Sequence, residues 1–495
     1  MKQTIILCLF CVLSLNGFSQ EKVLELKESF SNSNRLNKKS YTFANRKNDD
    51  LMLLLEGKEQ YAYLLSSDYR QKSKITTKAF SYKFPNIIGH TILNQSYSIF
   101  YSNTKNTKFG VQTFDFENKT SSNTSLNLKI KGEKYVESIN YNNKIHILTI
   151  TKRTSDLNIY ILDKNFLPEK KTISLKQLEY QNPSDRHHTI NAYYLLLSDA
   201  GGLSSPIIDI TKIESGNPNS IEITSNENKL YQFKNKIVFS FDYSNKETRI
   251  CSINLDTFTS VIKIFDKPSK HEKNFEYSNS YIFNNKLFQI ASSNKKMKFT
   301  VLDLTTEKLI REYSFTNEDN SIPFKNSPIL EKGKSFYGSS KHKILEIEKP
   351  SKFLKRISGG HLGISAYKIN NDYIVALGGA VYFASSYRFT AGVGEGFNPD
   401  GTVRFSSPLT IKHNPTLYGY NGYSNISSIS INCLFDENFE HKQGDIPKNI
   451  YDKVNEFENT LKKPLAVNLF LHNNYLHYSH FDRTDRIFKI YRFKN

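Results

Sequence analysis

The densest run of residues able to bind a metal or move a proton lies near the C-terminus: His472, His477 and His480, with Asp482 and Asp485. Imidazoles and carboxylates at short spacing are the donor set of a zinc or related metal centre, provided that they converge. Here they sit in an alternating stretch, NLFLHNNYLHYSHF from Asn468, that reads as a hairpin. Side chains three apart on a strand point to opposite faces, so His477 and His480 diverge. The spacing therefore favours separate surface or core histidines, and neither a metal nor another cofactor is expected. A second group, Asp185, His187 and His188, lies in DRHHT. A carboxylate beside an imidazole can act as a general acid–base pair, but this composition reads as a solvated polar loop. Glu395 and Asp400 form a third pair. Paired carboxylates serve glycoside hydrolysis when their separation is fixed, and a flexible glycine-rich loop fixes nothing. No residue is assigned a catalytic role.

The sequence holds no phosphate-binding loop, no GxSxG elbow, no HExxH helix and no calcium loop. A binding surface is better supported. Between Ser385 and Ser427 a long insertion carries AGVGEGFNPDG and NPTLYGYNGYSN. Loops of this length are usually functional or disordered. Tyr418, Tyr420 and Tyr423 offer flat contact area with a polar tip. Gly394 lets a backbone approach a ligand closely, and Glu395 and Asp400 supply charge. These six are the candidate binding residues.

The elements that must position them repeat. SINYNNKIHIL from Ser138 alternates β-branched and aromatic residues about Asn142-Asn143, which reads as strand, tight turn, strand. Asparagine tolerates the positive φ that a type I′ hairpin turn needs at both central positions. The pattern returns as SYIFNNKLFQI from Ser280, KLYQFKNKIVFSF from Lys229, AYKINNDYIVAL from Ala366 and NLFLHNNYLHYSHF from Asn468. Weaker copies start at Ser40 and Thr91, and faint ones at Asn191 and near Gly333. A strand-only period of about 48 residues is a β-propeller blade signature. In this the chain resembles a divergent secreted β-propeller repeat protein of the bacterial cell envelope. There is no tryptophan, so the motifs of the tryptophan-bearing propeller families are absent and no family's residues carry over. The resemblance implies an all-β fold: a closed β-propeller of about eight four-stranded blades, with seven to nine allowed by the copies. Glu21 to Phe30 reads as a strand that supplies the fourth strand of the C-terminal blade. Ile446 to Pro464 is the one convincing helix, with Ile450, Val454, Phe457 and Leu461 at helical spacing.

Residues 1–19 read as a secretory signal peptide, with Lys2, an apolar run from Ile5 to Leu15, and Gly17 and Ser19 before the cleavage point. One propeller domain is expected over 20–495, exported to the periplasm or beyond, with no transmembrane segment and as a monomer. Of four cysteines, Cys251 and Cys433 lie outside the signal, in different units, and are expected to be unpaired. The formal charge is +19. Scattered lysines on outer strands discourage edge pairing or attract acidic polymers. Nucleic acid is excluded as a partner for an exported chain. Two function classes remain: a non-catalytic binding or scaffold propeller of the envelope, with a protein or glycan ligand, and a glycan-acting hydrolase or lyase.

Overall fold

The computed structural model describes residues 20–27, 38–197, 209–334, 342–380, 395–397, 403–405, 414–424 and 428–494, except 46, 58, 81, 183–184, 215, 245, 271, 273–274 and 359–360. The signal-peptide segment 1–19 lies outside the described residues.

The strands follow the sequence period. β1 is Gln20–Leu26. The first sheet holds β2 (Lys39–Ala44), β3 (Leu51–Glu56), β4 (Glu59–Leu65) and β5 (Gln71–Lys78). The second holds β6 (Asn86–Leu93), β7 (Ser96–Ser102), β8 (Phe109–Asp115) and β9 (Thr120–Leu126). The third holds β10 (Glu133–Tyr141), β11 (Lys144–Thr151), β12 (Asp156–Leu162) and β13 (Pro168–Ser174). A short ribbon, β14 (Tyr180–Asn182) and β15 (Asp185–Ile190), and helix α1 (Ala192–Leu195) come next. The fourth sheet holds β16 (Thr211–Lys212), then, after helix α2 (Ile221–Thr224), β17 (Asn228–Phe233), β18 (Lys236–Phe241), β19 (Glu247–Asn254) and β20 (Ser260–Asp266). The fifth holds β21 (Tyr277–Phe283), β22 (Lys286–Ser292), β23 (Lys296–Asp303) and β24 (Leu309–Thr316). The sixth interleaves β25 (Ile329–Lys334), β26 (His342–Ile347), β27 (His361–Ile369), β28 (Asp372–Ala380) and, after the ribbon β29 (Glu395–Phe397) and β30 (Val403–Phe405), β31 (Ser428–Phe435). Helix α3 (Pro350–Ile357) precedes β27, and α4 (Pro415–Ser424) precedes β31. Helix α5 (Ile450–Glu458) leads into the seventh sheet, β32 (Leu465–His472), β33 (Tyr475–Asp482) and β34 (Ile487–Phe493), to which β1 is added in the order β1-β34-β33-β32.

Among the described residues there are thus seven sheets of four or five strands and two ribbons. The sequence counts nine units, and both faint copies account for the difference. The Asn191 copy is helix α1 where described. The copy near Gly333 is the hairpin β25–β26, which joins β31 at the outside of the sixth sheet. Alternating sequence shows that a segment is a strand but not which sheet it joins.

The asparagine turns form as their chemistry requires. Asn142 and Asn143 have φ of 48° and 55°, Asn284 and Asn285 48° and 58°, and Asn473 and Asn474 48° and 62°. The helix read over 446–463 is shorter, Ile450–Glu458. The Asn449 side chain accepts from Tyr451 N and Asp452 N, and Asp452 accepts from Asn449 N. This capping box starts the helix after Pro447. Cys251 and Cys433 are free and buried. Burial pushes the Cys251 thiol up to about 12, which leaves it unreactive.

Contacts divide the chain into two compact units, residues 1–80 with 114–121 and 448–495, and residues 81–113 with 122–447. In the second unit consecutive sheets stack face to face, and the period of two explains how. On β11, Ile145 and Ile147 join the cluster shared with the second sheet, while Leu148 and Ile150 join the cluster shared with the fourth. On β12, Tyr160 and Leu162 face one way, and Leu157, Ile159 and Ile161 the other. In the first unit Leu51, Leu53 and Leu55 of β3 pack with Phe470, Phe481, Phe488 and Ile490 of the seventh sheet.

The first full-length strand of each sheet is tied sideways to that of another by side chains. Ser138 Oγ donates to Ile88 O (2.5 Å), Asn140 Nδ2 to His90 O (2.8 Å) and Gln232 Nε2 to Asn140 O (2.7 Å). Asn279 Nδ2 donates to Leu362 O (2.6 Å). In the first unit Ser40 Oγ donates to Ala466 O (2.6 Å). At Gly89 on β6 an added Cβ would lie 2.2 Å from Ile145 Cδ1 and 2.5 Å from Asn140 Oδ1, so a larger residue there would displace both side chains.

Two outcomes test this packing. A Cβ at Gly378 would sit 2.0 Å from Ile429 O, a backbone atom that cannot swing away. Gly378→Ala should cost about 1–3 kcal/mol, read as a lower midpoint in urea unfolding. Removing residues 20–27 should strip β34 of its outer partner and of the packing of Val23, Leu24 and Leu26, leaving it paired to β33 alone. The truncated chain should melt lower and aggregate more readily, and an unchanged melt would show that β1 contributes nothing.

Candidate functional site

Two of the C-terminal histidines meet and the third does not: the rings of His472 and His477 lie 6.0 Å apart, both against Tyr69, while His480 points to the other face. His477 is held in an aromatic nest. Its Nδ1 lies 3.1 Å from Tyr475 O, and its Nε2 lies 2.5 Å from the Tyr69 hydroxyl. A carbonyl only accepts, so Nδ1 carries the proton and Nε2 accepts from Tyr69. Phe470 stacks on the ring at 4.9 Å. His480 stacks instead on Tyr491, at 5.8 Å. Asp482 and Asp485 both clamp Lys489, at 2.9 and 2.8 Å. Among the described residues no group of three or more potential ligands could hold a metal ion. Burial pushes His477 down to about 3 and His480 to about 4.

The other candidates fare differently. Asp185, His187 and His188 lie on strand β15, paired with β14, and not in a loop; their side chains lie outside the described residues. Gly394 and Asp400 also lie outside them. Glu395 opens β29, paired with β30, and its side chain is likewise not described. Tyr418, Tyr420 and Tyr423 sit on helix α4, where a loop was expected. Asn414 caps that helix, accepting from Leu417 N at 3.1 Å, and Pro415 takes its first position. The pair Asn414-Pro415 is a start signal legible in the sequence, outweighed there by the glycines around it. Tyr420 is 1% exposed, so its ring faces the protein's own interior. Tyr418 packs against the core shared by the fourth, fifth and sixth sheets, and burial pushes its hydroxyl well up. A Cβ at Gly422 would meet Ile223 Cδ1 at 2.3 Å, so glycine lets α4 close on α2. Thr416 Oγ1 donates to Glu214 Oε1 at 2.7 Å.

Two features were not visible in the sequence. The first is an ionic cluster with no exposed side-chain surface. Lys229 begins at β17, Asp242 follows β18, and Lys267 follows β20. Lys229 Nζ lies 3.2 Å from Asp242 Oδ2, and Lys267 Nζ lies 3.1 Å from Asp242 Oδ1. Lys267 also donates to Asp242 O (3.0 Å) and Ser244 O (2.6 Å). Thr248 Oγ1 donates to Asp242 Oδ1 (2.8 Å), and Ser280 Oγ to Oδ2 (2.7 Å). Lys229 also donates to Asn279 Oδ1, at 2.6 Å. Burial alone would raise the Asp242 carboxyl, but the Lys267 and Lys229 ammoniums and the two hydroxyls hold it far below the usual range. Burial pushes Lys229 down. A lysine at the head of an alternating strand gives no sign of this partner set, because the partners come from other strands and another sheet.

The second feature is an open groove of about 540 Å³, lined by Asn294, Asn317, Ser351, Lys355 and Ser358. Asn294 lies in the turn between β22 and β23, Asn317 follows β24, and the other three come from α3 and its C-terminal cap. Two amides, two hydroxyls and one ammonium give donors on every side and acceptors on most. Lys295, Lys352 and Arg356 are neighbours of these residues in the chain.

No family model matches the chain, and no curated protein matches it. Solved structures similar to it include the Dos1 propeller, at 9% identity over 82% of this chain and 81% of that one, TM-score 0.24. An uncharacterised protein of Listeria monocytogenes is 9% identical over 57% of this chain and 70% of its own, TM-score 0.26. A protein of unknown function from Bacteroides caccae is 10% identical over 55% and 80%, TM-score 0.22. Likenesses this distant carry no argument about what the chain does.

The buried histidines predict a pH dependence. A histidine titrates near 6.5 when unfolded, while folded His477 titrates near 3 and folded His480 near 4. Below pH 6.5 the unfolded chain takes up protons that the folded chain refuses, so stability falls as pH falls, at about 1.4 kcal/mol per pH unit per histidine. The loss should run from about pH 6.5 down to each folded value, and His480→Gln should flatten the fall between pH 6 and pH 4. Equilibrium unfolding in urea across that range measures it.

Proposed function

We propose that this chain is an exported, non-catalytic β-propeller whose seven sheets are the blades and whose polar groove binds an acidic glycan of the cell envelope. The propeller part is supported by the repeated antiparallel meander, by the sideways ties between first strands, and by the addition of β1 to the last sheet. The binding part rests on the groove of Asn294, Asn317, Ser351, Lys355 and Ser358. Amides and hydroxyls suit sugar hydroxyls, which both donate and accept. Lys355, with Lys295, Lys352 and Arg356 close in the chain, suits a carboxylate or sulfate on the sugar. The signal-like segment 1–19 supports export.

Titration calorimetry with uronic-acid and sulfated oligosaccharides tests the reading, with neutral oligosaccharides as controls. Binding to an acidic glycan should weaken at least tenfold in Lys355→Ala, which removes one charge-assisted contact of about 1.5–3 kcal/mol. It should weaken with rising salt. Failure of every acidic glycan to bind overturns the proposal. Cleavage of a glycan would replace it with the hydrolase or lyase reading.

A further inference from the structure

The groups around Lys229 and Asn279 are placed as an acyl-transfer centre would place them, inside the protein and between two of its own side chains. The amine nitrogen of Lys229 is 2.6 Å from the amide oxygen of Asn279. Attack requires it to shift from that oxygen to the adjacent carbon, Cγ. The backbone N–H of Ser280 donates to the same oxygen at 2.7 Å, where negative charge would develop. The Asp242 carboxylate stands 3.2 Å from the attacking nitrogen, within reach of the proton that the nitrogen sheds once it is bonded to carbon and acidic. Three carbonyls converge on the amide nitrogen of Asn279: Leu362 O at 2.6 Å, Ser225 O at 3.0 Å and Thr224 O at 3.2 Å. An amide nitrogen has only two hydrogens to give. Three acceptors match a nitrogen that has gained a proton and is about to leave.

Burial works towards the neutral amine that attack needs. The cluster holds two ammoniums against one carboxylate with no exposed side-chain surface. Burial lowers the proton affinity of Lys229 by more than the Asp242 carboxylate raises it, and the Lys267 charge lowers it further. Lys267 directs its ammonium to three oxygens, whereas Lys229 has two acceptors. A neutral amine at Lys229 leaves one balanced ion pair.

We propose that Lys229 and Asn279 form an intramolecular isopeptide bond that ties β17 to β21. The lone pair of the neutral amine forms the Nζ–Cγ bond, and the carbonyl electron pair moves onto Oδ1. A proton from Nζ passes to Asp242, which gives it to the departing nitrogen. Collapse of the oxyanion breaks the Cγ–Nδ2 bond and releases ammonia. One amine and one primary amide become one secondary amide and one ammonia, with no oxidant or reductant.

The test is peptide mapping of the purified full chain under denaturing, reducing conditions. Trypsin should fail to cut after Lys229, and the peptide holding Lys229 should be found joined to the peptide holding Asn279, with the mass of one ammonia missing. Lys229→Arg and Asn279→Ala should each abolish the joined pair. An N-terminal glutamine or a succinimide also loses ammonia, so the joined pair, and not the intact mass, decides. Recovery of both peptides separate and unmodified from the wild-type chain overturns the proposal. Since the mapping is done on unfolded wild-type protein, its outcome does not depend on whether a variant folds, nor on whether the groove binds a glycan.

Discussion

Strands β6, β10, β21 and β27, each at the edge of its sheet, keep a row of backbone groups that no further strand covers. Most of this architecture follows from how those groups are satisfied. A buried carbonyl without a partner costs about 1–3 kcal/mol, more than the bond itself contributes in net terms. The chain answers with polar side chains sent sideways from another first strand: Ser138 to Ile88 O, Asn140 to His90 O, Gln232 to Asn140 O, Asn279 to Leu362 O. The apolar faces supply more stabilisation, at about 1.5–3 kcal/mol for each fully buried Leu or Ile. Those faces are interchangeable, however, whereas a side chain aimed at one carbonyl fixes which strands meet and in what register.

The ionic cluster is the extreme form of this device. At Asp242 the tie is made by charges, and stripping two ammoniums and a carboxylate of water is repaid only when every lone pair finds a donor. Here Asp242 accepts from Thr248, Ser280, Lys229 and Lys267. The same arrangement that satisfies the carboxylate sets an amine against an amide under a backbone donor. Structural saturation and latent acyl-transfer geometry are two consequences of one packing problem. The histidines of the first unit solve theirs differently. Neutral, stacked and low in proton affinity, they behave as aromatic core residues at neutral pH and become a liability in acid.

The proposed binding site lies on groups that the core has not used. Asn294, Asn317 and Lys355 are brought together by a turn, a strand end and a helix. In the insertion expected to offer an aromatic surface, α4 is pressed on α2 and Tyr420 is buried.

Local chemistry was legible in the residues themselves. The Asn-Asn pairs specified left-handed turns, and strand alternation specified β-structure, because both depend on one residue and its immediate neighbours. The separation of His477 from His480 followed from the period of two. What sequence could not decide was everything that depends on a partner far along the chain. Two faint repeats looked like sheets of their own, yet one is an outer hairpin and one a helical turn. NPTLYGYNGYSN looked like a loop, because the packing of Gly422 on Ile223 that supports its helix lies in another segment. Lys229 looked like any surface lysine. Its carboxylate comes from the end of the neighbouring strand β18, and its amide neighbour from β21, which only the stacking of the fourth sheet on the fifth brings within hydrogen-bonding distance.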